Sequence, residues 1–120
     1  MSTNLKDRTK IFALTVLKYL EKLPYKNPYI AISNQLTRCS TSLGANYRSA
    51  SRAKSSADFI NKLKIVEEEC DETMYFIELL IELNPKDKTE LLKIHTEANE
   101  LLSIVVASIK TARKNNLNKN

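Results

Sequence analysis

Glycine and proline are nearly missing: the 120 residues hold one glycine and three prolines. Sandwiches and doubly wound sheets turn every ten residues or so, and their turns consume both residue types. So small a supply excludes those folds and leaves long helices with few connections. It also excludes Rossmann and P-loop phosphate cradles, which need several glycines. One histidine and two cysteines are too few for a zinc site built from protein ligands alone. Cys39 and Cys70 stand far apart with no C-x-x-C pair, which predicts two reduced buried thiols and a cytoplasmic protein. No stretch reaches the roughly 18 apolar residues of a membrane span. Residues 1–8 lack the apolar run and cleavage site of a signal peptide. Tryptophan is absent, and three phenylalanines with five tyrosines offer little for stacking on bases.

What remains is ordinary globular material. Apolar residues make up 42% and charged residues 28% of the chain, enough for a real core and too apolar for disorder. The length predicts a single domain over residues 1–120. Net charge is +5, and its distribution says more than its total. Residues 1–28 carry six basic and two acidic side chains. Residues 46–64 hold Arg48, Arg52, Lys54, Lys62 and Lys64 against Asp58 alone, whereas 65–82 hold seven acids and no base. From 101 onward every charge is basic again: Lys110, Arg113, Lys114 and Lys119. A net basic surface with such segregation attracts polyanions. Arg48, Arg52, Lys54, Lys62, Lys110, Arg113 and Lys114 are the candidate nucleic-acid contacts.

Hydrophobic periodicity predicts four helices. The first runs from about Asn4 to Leu23 on Phe12, Val16, Leu20 and Leu23, and Pro24 stops it. Asn27 is placed to cap the second, with Pro28 in its first turn, and the apolar positions are Ile32, Leu36, Cys39, Leu43 and Tyr47. Gly44 inside it costs about 1 kcal/mol against alanine, which a close neighbouring helix would explain. Ser55 or Ser56 caps the third, whose inner face reads Phe59, Leu63, Val66, Cys70, Thr73, Ile77 and Leu80. Asn84-Pro85 repeats the cap-then-proline pattern and opens the fourth, with a seam of Leu91, His95, Ala98, Leu102, Val105, Ile109 and Ala112. Residues 114–120 form a basic tail expected to fray. Short connections between long helices make neighbours antiparallel. The fold class is all-α, an antiparallel up-down-up-down four-helix bundle.

Candidate chemistry is thin. The acids Glu67, Glu68, Glu69, Asp71 and Glu72 suggest a carboxylate-bridged metal pair, but that site needs Glu-x-x-His on two helices and Leu92 precedes His95 at that spacing. No metal, no cofactor and no small-molecule substrate is expected. His95 falls on the apolar seam and reads as a hydrogen-bonded core or subunit-contact residue. Carboxylates four apart on one helix repel each other, so something basic must face them. A hairpin centred near residues 53–54 brings Arg38 level with Glu69, with Glu72 one turn on, which predicts a structural ion pair from Arg38 to Glu69 or Glu72. The polar run Gln35, Arg38, Ser40, Thr41, Ser42 and Asn46 fits hydrogen bonding inside the fold better than a site. No serine or cysteine has a neighbouring base in sequence, so no catalytic residue is assigned and the chain reads as a non-enzyme.

Apolar residues on the first and fourth helices exceed one stripe. Ile94 and Leu101 flank the line Leu91, Ala98, Val105, and Ile11, Leu14, Val16 and Leu17 spread around the first helix. Unburied apolar surface of that extent marks an interface, which predicts a closed homo-oligomer joined through those two helices.

The order Gln35-Leu36-x-Arg38, Ser42-Leu43-Gly44-Ala45-Asn46-Tyr47-Arg48-Ser49-Ala50, Arg52-Ala53-Lys54-Ser55 and Phe59-Ile60-x-Lys62-Leu63-x-Ile65-Val66-Glu67-Glu68-Glu69-x-Asp71-Glu72 resembles a bacterial four-helix-bundle family. That family is known from reading frames in intervening sequences of 23S ribosomal RNA. The chain is also similar to the accessory variability determinant of diversity-generating retroelements. Where many members carry Asn-Ile-Ala-Glu-Gly, this chain has Asn46-Tyr47-Arg48-Ser49-Ala50, without the acid and with an arginine. The resemblance implies a homopentamer with a basic surface for RNA or DNA, no catalysis, and a reverse transcriptase as partner in the retroelement branch. The other reading open at this point is a structural or protein-interaction module with no nucleic-acid role.

Overall fold

A computed structural model describes residues 4–118 and forms four helices: α1 Leu5–Leu20, α2 Tyr29–Ala50, α3 Ser56–Leu83 and α4 Lys88–Asn118. A single 3-10 turn at Pro85–Asp87 precedes α4, and no strand occurs among the described residues. Tyr29 meets Asn84 and Arg38 meets Glu69 across α2 and α3. Arg8 meets Glu97, and Tyr19 meets Asp87, where α1 runs beside α4. Partner numbers that fall as the chain rises belong to neighbours running in opposite directions, compatible with the up-down-up-down bundle. The rod measures 54 × 24 × 22 Å.

Local chemistry sets most helix ends. Asn4, in extended backbone, accepts from the Lys6 N–H at 2.7 Å and starts α1. The helix stops at Leu20 instead of Leu23, because the amides of Lys22 and Leu23 bond to carbonyls three residues back as the chain tightens toward Pro24. Asn27 does not cap α2. Pro28 holds the cap position with no side-chain bond, and the amides of Ile30 and Ile32 go to the carbonyls of Lys26 and Pro28. The Asn27–Pro28 peptide is cis. Ser55 caps α3 by accepting from the Asp58 N–H at 3.0 Å. Asn84 does not cap α4, since its side-chain oxygen accepts instead from the Tyr29 hydroxyl at 3.1 Å.

The core runs the length of the rod. Phe12, Val16 and Tyr19 of α1 meet Leu36, Cys39 and Leu43 of α2, with Leu63, Val66, Cys70, Ile77 and Leu80 of α3. Each fully buried aliphatic side chain contributes about 1.5–3 kcal/mol. Phe59 is only half-buried. The seam of α4 differs from its expected form: Leu91, Ile94, Ala98, Leu101, Val105 and Ile109 are buried, while His95, Leu102 and Ala112 are half-buried. Ile94 and Leu101 lie three residues from Leu91 and Ala98, on the side that the bundle itself covers. They are not surplus surface for a subunit contact. Helix α4 continues to Asn118, so residues 114–118 are helical rather than frayed, because backbone bonding carries on past the last core residue. Residues 119–120 lie outside the described residues.

Candidate nucleic-acid interface

Helix α1 has 16 residues and α4 has 31, or about 24 Å against 46 Å. Arg8, in the first turn of α1, already faces Glu97 and Glu100. The later turns of α4 therefore run past α1 toward the α2–α3 loop. There Phe59, Ile104, Ser108 and Ala112 line an apolar groove of about 490 Å³. The start of α1, the α2–α3 connection and the end of α4 thus share one end of the rod. Within residues 4–10, 46–64 and 108–118 only Asp7 and Asp58 are acidic.

This end collects every candidate contact residue. Arg48 is in the last turns of α2, Arg52 and Lys54 are in the loop, and Lys62 is in the second turn of α3. Lys110, Arg113 and Lys114 lie on the far turns of α4. All are exposed except Lys62, which is half-buried. Lys119 lies outside the described residues. Two further cations, Lys6 and Lys10, join Arg48 around a cleft of about 350 Å³ between α1 and α2, with Thr9, Gly44 and Asp7 also on its wall. Nothing local in the sequence singles out Lys6 and Lys10. Their one-turn spacing was visible, but their approach to Arg48 depends on how α1 packs on α2.

Arg8 at the start of α1, Lys22 after its end and Arg38 in the middle of α2 are each paired with acids. Arg8 binds Glu97 with two hydrogen bonds of 2.8 Å and also reaches Glu100 at 2.6 Å. Glu97 first and then Glu100 push its pKa up. Lys22 pairs with Glu90. Arg38 donates to Glu69 at 3.1 Å and also pairs with Glu72, which is the main cause of its raised pKa. Arg38 therefore bridges two carboxylates and sits within the acidic middle, remote from the basic end. His95 is hydrogen-bonded as expected, to Glu78 at 2.8 Å, but it is half-buried at the edge of the core and not inside it.

The polar run of α2 is mostly spent inside its own helix. Thr41 donates to the Thr37 carbonyl at 2.7 Å, and the Asn46 amide donates to both the carbonyl and hydroxyl of Ser42 at 2.9 Å. The Ser40 hydroxyl is fully buried without a partner. Thr73 donates to the Glu69 carbonyl at 2.7 Å and approaches the Cys39 sulfur at 3.1 Å. Burial raises the pKa of both thiols, that of Cys70 to about 12, so neither is an activated nucleophile. Among the described residues no group of His, Cys, Asp and Glu could hold a metal ion, and no helix is long and apolar enough to cross a membrane.

The family model of the 23S rRNA-intervening sequence protein matches residues 3–107. A solved structure of unknown function from the S23 ribosomal protein family of Bacteroides thetaiotaomicron is 34% identical, covering 89% of this chain and 99% of its own, with a TM-score of 0.82. No curated protein matches.

Proposed function

This chain belongs to the 23S rRNA-intervening sequence protein family, and on that premise we propose that it is a non-enzymatic, homo-oligomeric accessory protein that binds nucleic acid through the basic end of its bundle. The observation that carries this reading is the sorting of charge. Topology brings three basic segments to one end, where among the described residues only Arg8 is paired with acids, while Lys22 and Arg38 elsewhere are also paired. Cations without acidic partners bind the phosphate backbone by releasing its counterions, which gives affinity without sequence readout. The working site is cytoplasmic, where two reduced buried cysteines are at home. The role is of the ribosomal-RNA intervening-sequence or retroelement accessory type, with a reverse transcriptase as the protein partner in the second case.

Assembly rests on α1. Ile11 is 61% and Leu14 46% exposed, and Ile11 borders an apolar groove of about 310 Å³ between α1 and α4. Two large apolar side chains beside such a groove suit a subunit contact, and a five-membered ring would repeat the basic end about its axis. Gel shifts with generic RNA and DNA across a salt series test the binding. Retarded complexes at low salt that weaken steeply as salt rises are expected. No complex with either polymer at low salt would leave the protein as an interaction module only.

A further inference from the structure

We propose that the cleft between α1 and α2 is a seat for a phosphodiester of the nucleic-acid backbone, held by Lys6, Lys10 and Arg48. The inference rests on the reading of the basic end as a nucleic-acid interface and assigns that interface a specific place. Three cations from two helices converge on one concavity of about 350 Å³. Lys6 and Lys10 stand one turn apart on α1, a spacing at which like charges repel. Arg48 meets them from α2. None of the three forms an ion pair among the described residues, and Asp7 is the one acid on the cleft wall. An anion placed between them relieves the repulsion and gains three contacts at once.

Gly44 is the second observation. Glycine weakens a helix interior, and its φ is not positive here. The atoms nearest a Cβ built on it belong to Thr9, at 3.4–3.6 Å, which is ordinary contact. Backbone conformation therefore does not demand glycine at 44. The bare Cα lets α2 lie close against Thr9 of α1, as a close neighbouring helix requires, at the point where both helices line the cleft. Lys6, Lys10, Thr41, Ala45 and Arg48 are all exposed, so the site is a trough open along its length. A small ligand site encloses most of its occupant, whereas an open trough with cations along both walls suits a passing strand.

The test uses the full chain and a labelled RNA of generic sequence, with affinity measured by fluorescence anisotropy over a salt series. The Lys10→Gln/Arg48→Gln variant is compared with Lys86→Gln/Lys88→Gln, which makes the same charge change at exposed positions of the opposite end. The cleft variant is expected to bind about tenfold more weakly, with the slope of log K against log salt shallower by about two. The opposite-end variant should stay within about twofold of the parent at equal salt. If the parent binds and the two variants behave alike, the cleft is not the seat, although the wider interface stands. If the parent fails to bind at low salt, both readings fall together. Inorganic phosphate is the second probe. Displacement of RNA by phosphate beyond that caused by sodium chloride of equal ionic strength is expected for the parent and not for the cleft variant, and equal displacement in both would overturn the seat.

Discussion

Cys70 shows what burial does to one residue. Its surroundings, and then the acids Glu67, Glu69 and Asp71, push the thiol up to about 12 from an ordinary 9.0. Between those values the unfolded chain has lost the proton while the folded chain keeps it. The native state binds more protons there, so stability present below pH 9 falls as pH rises toward 12. The fall from pH 8 to pH 10 is expected to be about 1 kcal/mol in urea melts, with a shallower slope for Cys70→Ala. Equal slopes in the two proteins would contradict the assignment. Ser40 makes the opposite case, since its buried hydroxyl has no partner. Ser40→Ala keeps the Cβ, removes an unsatisfied group and should raise stability by about 1 kcal/mol. Arg38 was legible from the sequence, because the centre of a helical hairpin fixes which residues are level. Ser40 was not, because a hydroxyl's partners depend on side-chain packing across helices.

At the scale of elements, the apolar period made four helices legible, and the scarcity of glycine and proline made them long. Caps were legible only where the side chain was not wanted elsewhere. Ser55 has no competing partner and caps α3. Asn84, in the same sequence pattern, gives its oxygen to Tyr29 from a distant helix. Ser55→Ala should therefore lower stability by about 1 kcal/mol, measured by thermal unfolding, and Asn27→Ala should change it far less. Equal losses would mean that Asn27 caps in solution. The α4 seam was misplaced by one position at Ile94 and Leu101 for a related reason. A stripe wider than one line is consistent with several rotations of a helix, and only the neighbours choose among them.

Over the whole molecule, charge is segregated along the rod, with the acidic middle of α3 engaged by Arg38 and the basic segments gathered at one end. The segments were visible in the sequence, but their convergence needed the antiparallel topology. Lys6 and Lys10 needed the α1–α2 contact as well. Assembly is checked by light scattering in moderate salt, where a monodisperse ring is expected and Ile11→Glu/Leu14→Glu should yield monomer. A parent protein that is already monomeric at micromolar concentration would remove the assembly claim.

The basic end as the nucleic-acid interface is tested most directly by lysine footprinting, in which acetylation with and without bound RNA is read residue by residue by mass spectrometry. Binding should protect Lys6, Lys10, Lys54, Lys62, Lys110 and Lys114, and leave Lys26, Lys86 and Lys88 at the opposite end as reactive as before. Protection of Lys26, Lys86 and Lys88 with the basic end still reactive would contradict it.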